Sequence, residues 1–218
     1  MGLSMHGRQE MGSAEEMKLA FVIGNGHSRS VFDLNLLKDK GILYGCNLLI
    51  EELQLDNTVA CDRHMVVHLI SQGFDKVTNL WTRDRWVKTV EGNIKSLPDP
   101  ILQSKVRYDQ EIHWNSGVHA VNLAAHQGSD VVVMIGFDLW PREDGQNNIY
   151  QSKSEFYNSK AIDPSHWIHQ LGRCYDKYPD VSFVQIQPSS WKDPEPWLSR
   201  ENYTRDDYSG LREWLKEL

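Results

Sequence analysis

The feature that most constrains this chain is a short apolar run that stops at a pair of glycines. Residues 18–23 (KLAFVI) read as a strand buried on both faces, and Gly24-Asn25-Gly26 closes it in a tight turn. A strand that is apolar throughout, rather than at alternate positions, belongs to a parallel sheet with helices on both sides. The pattern then repeats. Asp33 is placed to cap a short helix through Lys38, which Gly41 ends, and residues 42–47 (ILYGCN) form a second strand. Residues 48–53 give a helical turn or two and residues 58–62 a third strand. A helix from His64 to Gln72 stops at Gly73, and residues 76–82 form a fourth strand.

Residues 83–110 carry Pro98 and Pro100 with no clean period, and read as mostly irregular with a short strand near Val106. From Ser116 to Gln127 (SGVHAVNLAAHQ), alanines and branched apolar residues recur at helical spacing up to Gly128. Residues 130–138 (DVVVMIGFD) follow as the clearest strand in the chain. Residues 139–163 are polar and too long for a passive connection, which is the signature of a lid or binding loop. Pro164 opens a helix through Tyr178, and residues 182–187 (SFVQIQ) close the alternation. Strands alternating with helices give an α/β fold: a single Rossmann-like three-layer domain with a mainly parallel sheet and a lid segment.

Composition removes several classes of function. Among 218 residues the formal net charge is −7, which argues against a sequence-blind grip on nucleic acid. The longest apolar runs, such as residues 131–135, are far too short to span a bilayer. Cys46, Cys61 and Cys174 are odd in number and widely spaced, which excludes a disulfide framework and suits a reducing, cytoplasmic compartment. Residues 1–16 are polar, lack the apolar stretch of a secretory signal, and read as a disordered leader, with the compact fold starting near Met17.

Four constellations carry chemistry. In a doubly wound sheet the first turn, Gly24 to Ser28, faces the carboxyl ends of the strands, where ligands bind. Its glycines let backbone approach a phosphate and the following helix start favours an anion, although a merely tight turn is the alternative. A dinucleotide fingerprint would place a third glycine where Arg29 stands and an acid where Asn47 stands, which lowers the case for a dehydrogenase. Asn115-Ser116-Gly117 opens the alanine-rich helix, with Ser116 suited to the N-cap and Gly117 leaving the first amides open, or is an ordinary capped helix. Gly136-Phe137-Asp138 leads into the polar segment with Trp140, Tyr150, Tyr157, His166 and His169, the last two sharing a face if helical. Asp62, His64 and His68 have a spacing open to a metal-dependent hydrolase, or to a capped helix with packed or solvated histidines. Arg83 and Arg85 after the fourth strand meet anions or water.

In order, VIGNGHS, YGCN, ACD, NSGVHAVNLAAHQG, VVVMIGFD and SHWIHQ resemble the bacterial lipooligosaccharide sialyltransferases and the related motility-associated glycosyltransferase-like proteins. The resemblance covers roughly residues 18–190. It implies that Gly24, Asn25, Gly26 and Asn47 hold the CMP part of a donor, with Ser116 and Gly117 near the phosphate or sugar; Ser28, Asp62, Asn115 and Asp138, from the same turns and strand ends, complete the candidate binding set. It matches one lid tyrosine to Tyr150 and places Trp140 at the other. The family's base is a histidine just after the lid; the ungapped match falls on Gln170, with His169 one residue earlier and His166 four earlier.

The resulting expectation is a glycosyltransferase-like enzyme that uses a nucleotide-activated sugar, CMP-linked by the resemblance, as substrate and an unknown hydroxyl acceptor. It would work by inversion, without metal or separate cofactor. Two alternatives stand beside it: a nucleotide or sugar-phosphate binding module of the same fold, and the hydrolase using Asp62, His64 and His68. Residues 17–190 would form the nucleotide-sugar-binding domain with its lid at 139–164. Residues 191–218, with Trp191, Trp197 and Trp214, would be a tail packing its aromatics and a helix near 206–217 on that domain.

Overall fold

The computed structural model describes residues 17–101, 104–146, 148–151 and 163–218, so the expected leader and residues 147 and 152–162 of the expected lid lie outside the described residues. The described strands are β1 (Leu19–Ile23), β2 (Ile42–Cys46), β3 (Asn57–Val59), β4 (Asn79–Thr82), β5 (Ile94–Ser96), β6 (Val131–Ile135), β7 (Ser182–Ile186) and β8 (Tyr203–Asp206). They form one sheet in the order β5-β4-β3-β2-β1-β6-β7-β8, and every neighbouring pair is parallel. The α-helices are α1 (Arg63–Ser71), α2 (Asp84–Val87), α3 (Ser116–His126), α4 (Ser165–Lys177) and α5 (Tyr208–Glu217).

Strands β1 and β6, at the centre of the sheet, are apolar on every residue because both faces are covered. Phe21 and Ile23 of β1, Val133 and Ile135 of β6, and Val184 and Ile186 of β7 join the core beneath α1 and α5. Ala20 and Val22, Val132 and Met134, and Phe183 point into the opposite core beneath α3 and α4. Helix α3 lies against β1, β2, β3 and β6 and buries nine of its eleven residues. Its alanines at 120, 124 and 125 are fully or nearly fully buried there. A helix apolar almost all round is one enclosed on all sides.

Sequence and structure part at the edges of the sheet. The strand expected near Val106 is absent; Arg107–Asp109 is a 3₁₀ turn instead. The outer strand on that side is β5, whose Lys95 and Ser96 are exposed. The tail after Pro188 supplies the other edge, β8, in addition to the expected closing helix α5, and Thr204 and Arg205 of β8 are exposed. Short, polar outer strands blunt the edges of a sheet against pairing with other chains, and this composition hides them from a search for apolar runs. The expected helix after Asp33 is a single 3₁₀ turn (Leu34–Leu37), although Asp33 does cap it by accepting from the Asn35 N–H. The fourth strand starts at Asn79 rather than 76, because Phe74–Lys76 forms another 3₁₀ turn.

Candidate functional site

The strand order reverses between β1 and β6: the chain builds outward from β1 to β5, then returns to the other side of β1. In such sheets the crevice at the carboxyl ends of the two diverging strands is the natural binding place. The two loops that leave β1 and β6 are tied together there. Gly24 N–H donates to Ile135 O at 2.7 Å and Gly26 N–H to Gly136 O at 2.8 Å. A Cβ on Gly24 would stand 2.5 Å from Gly136 O, and one on Gly26 would stand 2.3 Å from an Asp138 carboxylate oxygen. These glycines therefore serve first the close passage of one loop over the other, and not chiefly the approach of a phosphate as the sequence pattern suggests.

A cleft of about 230 Å³ opens above this crossing. Gly24, Asn25 and Gly26 after β1, Cys46 and Asn47 after β2, and Gly136 to Leu139 after β6 line it. So do Asn115 to Val118 at the start of α3, Asn148, and Trp167 with Leu171 on α4. Eight residues singled out from the sequence meet here: Gly24, Asn25, Gly26, Asn47, Asn115, Ser116, Gly117 and Asp138. Trp167 and Leu171 escaped the sequence reading. Their i, i+4 spacing, which puts both on one face of α4, is the signal that could have found them.

Local chemistry shapes each wall. Asn115, not Ser116, is the N-cap of α3, its side-chain oxygen accepting from Val118 N–H at 2.9 Å. Ser116 Oγ instead accepts from Cys61 N–H at 3.1 Å, pinning the helix start to the end of β3. The N–H groups of Ser116 and Gly117 have no partner within the helix, which makes this end of α3 the anion-seeking part of the cleft. Asn47 adopts φ +55° and Leu139 φ +59°. Left-handed backbone is costly away from glycine, less so for Asn, and collects at functional sites. Three polar atoms of the lining are buried without a hydrogen-bond partner: Asn25 Oδ1, Asn47 Oδ1 and Trp167 Nε1. Unpaired buried polar groups cost about 1–3 kcal/mol each; they occur elsewhere too, at His119 and Gln187, but these three face a cleft with room for a partner, water or ligand.

The first turn is different. Ser28 N–H donates to Asp138 Oδ2 at 2.9 Å, Ser28 Oγ donates to Asp138 Oδ1, and Tyr208 OH donates to Ser28 Oγ at 3.0 Å. The protein's own carboxylate thus fills the anion position of the 3₁₀ turn His27–Val31, and Ser28 does not line the cleft. Of the two expected helix-start cradles, α3 alone is open.

The remaining site residues lie elsewhere. Tyr150 is buried, its OH accepting from Arg29 Nη2 at 3.1 Å, while Arg29 also pairs with Glu52 at 3.0 Å. Burial pushes the Tyr150 phenol well above its ordinary range. His166 is half-buried beside Trp167, ring centroids 4.7 Å apart, and burial lowers its pKa. His169 lines a second hollow, of about 490 Å³, with Trp140, Arg173 and Arg200, and its Nε2 lies 2.7 Å from Asp109 Oδ1. Asp62 is exposed and stands at the N-cap of α1 without a side-chain capping bond. His68 pairs with Glu51 at 3.1 Å. Asp62, His64 and His68 do not converge, and among the described residues no three His, Cys, Asp or Glu side chains are grouped to hold a metal ion. Arg83 donates to Trp114 O at 2.8 Å and Ile112 O at 3.1 Å, and Arg85 lies over Trp86, so both serve the fold.

Behind the cleft, His119 of α3 is fully buried, and burial, reinforced by Arg83, lowers its pKa from 6.5 to about 3. Between those values the unfolded chain takes up a proton here that the folded chain does not. Stability is therefore full above pH 6.5 and falls as pH drops through the window, by about 1.4 kcal/mol per unit from this group. Denaturant unfolding at pH 7 and pH 5 should show a smaller loss for His119→Gln than for the unaltered protein. Equal losses would remove His119 as the cause.

No protein-family model matches the sequence, and no curated protein matches it either. Solved structures do resemble the fold. The sialyltransferase CstII from Campylobacter jejuni, in complex with the substrate analogue CMP-3FNeuAc, is 15% identical with a TM-score of 0.56, over 93% of this chain and 100% of that one. An α-2,3-sialyltransferase from Campylobacter jejuni in apo form is 13% identical with a TM-score of 0.52, over 96% of this chain and 97% of that one. At such identities the likeness is one of fold, and the fold is sialyltransferase-like. No helix among the described residues is long and apolar enough to cross a membrane.

Proposed function

We infer that the cleft binds a CMP-linked sugar and that the chain transfers the sugar to a hydroxyl acceptor. The observation that carries this reading is the meeting of Asn25 Oδ1, Asn47 Oδ1 and Trp167 Nε1, all buried and unpartnered, with the open start of α3. Two amide oxygens suit the exocyclic amine of a cytosine or the hydroxyls of a ribose, and helix amides suit a phosphate. Charge narrows the donor. Among the described residues lining the cleft, Asp138 carries the sole formal charge, and it is negative. Helix amides without a cation match the single charge of a sugar nucleoside monophosphate better than the double charge of a diphosphate. The bound analogue of the similar CstII, a CMP-sugar derivative, points the same way.

In the reaction the acceptor hydroxyl oxygen bonds to the anomeric carbon as the bond from that carbon to the phosphate oxygen breaks. The hydroxyl proton passes to His169, CMP leaves with the bonding electrons, and the anomeric centre inverts. The start of α3 and Trp167 Nε1–H stabilise the charge on the departing phosphate. Tyr150 acts from behind, through Arg29, on the shape of the first turn. No step calls on a metal.

One observation favours a second reading, a binding module without turnover: His169, His166 and Tyr150 all lie outside the cleft lining. Incubation with CMP-sugars and a panel of hydroxyl acceptors separates the two. The transferase reading expects CMP release that depends on acceptor and falls about 100-fold or more in His169→Ala, with CMP binding intact. Binding without release from any CMP-sugar, or undiminished release in that variant, would contradict it.

A further inference from the structure

The position matched to the family's histidine is occupied by Gln170, and the surroundings of that residue explain how its neighbour can act. Gln170 is fully buried, and its amide donates to Tyr108 O at 3.0 Å and His113 O at 3.1 Å. It clamps the 107–113 segment onto α4. The clamp sets Asp109 against His169 and Arg173, which are four residues apart and so share a helix face.

Asp109 is 2% exposed. One of its oxygens accepts from Ser104 Oγ at 2.6 Å, and the other meets His169 Nε2 at 2.7 Å and Arg173 Nε at 3.4 Å. Both oxygens are thus engaged and the carboxylate cannot turn. Burial by itself would raise its pKa, but the Ser104 and His169 hydrogen bonds and the Arg173 charge outweigh burial and hold it below the ordinary aspartate value. An ionised carboxylate accepts and does not donate, so the imidazole nitrogen facing it must carry the hydrogen. The other nitrogen, Nδ1, is bonded to none of the described residues, on a side chain that lines the second hollow.

We propose that Asp109 is a positioning residue: it fixes His169 as the Nε2–H tautomer and leaves Nδ1 as the basic atom presented to the second hollow. This rests on the transfer reading above, in which His169 takes the acceptor proton. Asp109 would also stabilise the imidazolium that forms when Nδ1 takes the proton. Gln170, in place of a histidine, holds the pair together.

Long-range proton–nitrogen correlation spectra of the full chain test this without any turnover. For neutral His169 the unaltered protein should show Nε2 as the protonated nitrogen and Nδ1 as the bare one. Asp109→Asn should lose that preference while keeping the folded spectrum, and its kcat should fall about 100-fold with donor KM unchanged. Gln170→Ala, a second variant, should blur the tautomer signal by loosening the segment that carries Asp109. A protonated Nδ1 in the unaltered protein would overturn the proposal, as would full kcat in Asp109→Asn. If no transfer is found in the unaltered protein, the transfer reading fails and the tautomer still decides the role of Asp109.

Discussion

Replacing Trp197 with alanine should lower the unfolding free energy by about 3–5 kcal/mol, the usual cost of emptying a fully buried large aromatic site. Trp197 lies in the tail that the sequence pattern treats as a covering, yet it is completely buried. Its Nε1–H donates to Ile168 O on α4 at 3.0 Å. Its ring meets Tyr175 and Tyr203 edge-on at 5.4 and 5.2 Å. The residue therefore joins α4 to the start of β8. Its loss should loosen the helix that carries Trp167 into the cleft. Urea unfolding measures the effect; a cost below about 1 kcal/mol would mean that the tail is a detachable cover.

Gly24→Ala should cost about 3 kcal/mol and abolish nucleotide binding together. The added methyl would sit 2.5 Å from Gly136 O and 3.1 Å from its carbonyl carbon. Both are backbone atoms, so relief requires the ends of β1 and β6 to part. Overpacking of this kind typically costs 1–3 kcal/mol, and more where backbone must move. Parting the strands also displaces Asn25, whose carbonyl accepts from Ile149 N–H of the lid segment at 2.9 Å. Paired unfolding and CMP-binding measurements on this variant check the claim. A variant that keeps both properties would show that the two loops do not cross as tightly as described.

The central sheet was legible because burial on both faces writes itself into a strand as an unbroken apolar run. KLAFVI and VVVMI declared themselves in this way, SFVQI did so less cleanly because Gln185 interrupts it, and the alanines of α3 marked a helix with no room for larger side chains. The edge strands were not legible, since β5 and β8 need polar residues facing water. Of the cleft lining, Gly24, Asn25, Gly26, Asn47 and the start of α3 could be read from motifs at strand ends and helix starts. What periodicity could not show is how loops distant in sequence meet. Asp138 closing on Ser28, Tyr150 turned inward to Arg29, and Asp109 brought under His169 by the Gln170 clamp are all tertiary pairings, the last across 60 residues. Trp167 was hidden for a simpler reason: the histidines beside it drew the chemical reading.

The most direct test of the account is calorimetric titration of the folded chain with CMP, repeated on Asn25→Ala and Asn47→Gly, the glycine chosen because it tolerates the φ of +55° at position 47. The account predicts saturable binding by the unaltered protein, weakened about tenfold in each variant, or about 1.4 kcal/mol per lost contact. It would be contradicted if the unaltered protein bound no CMP, or if both variants bound it as tightly as before.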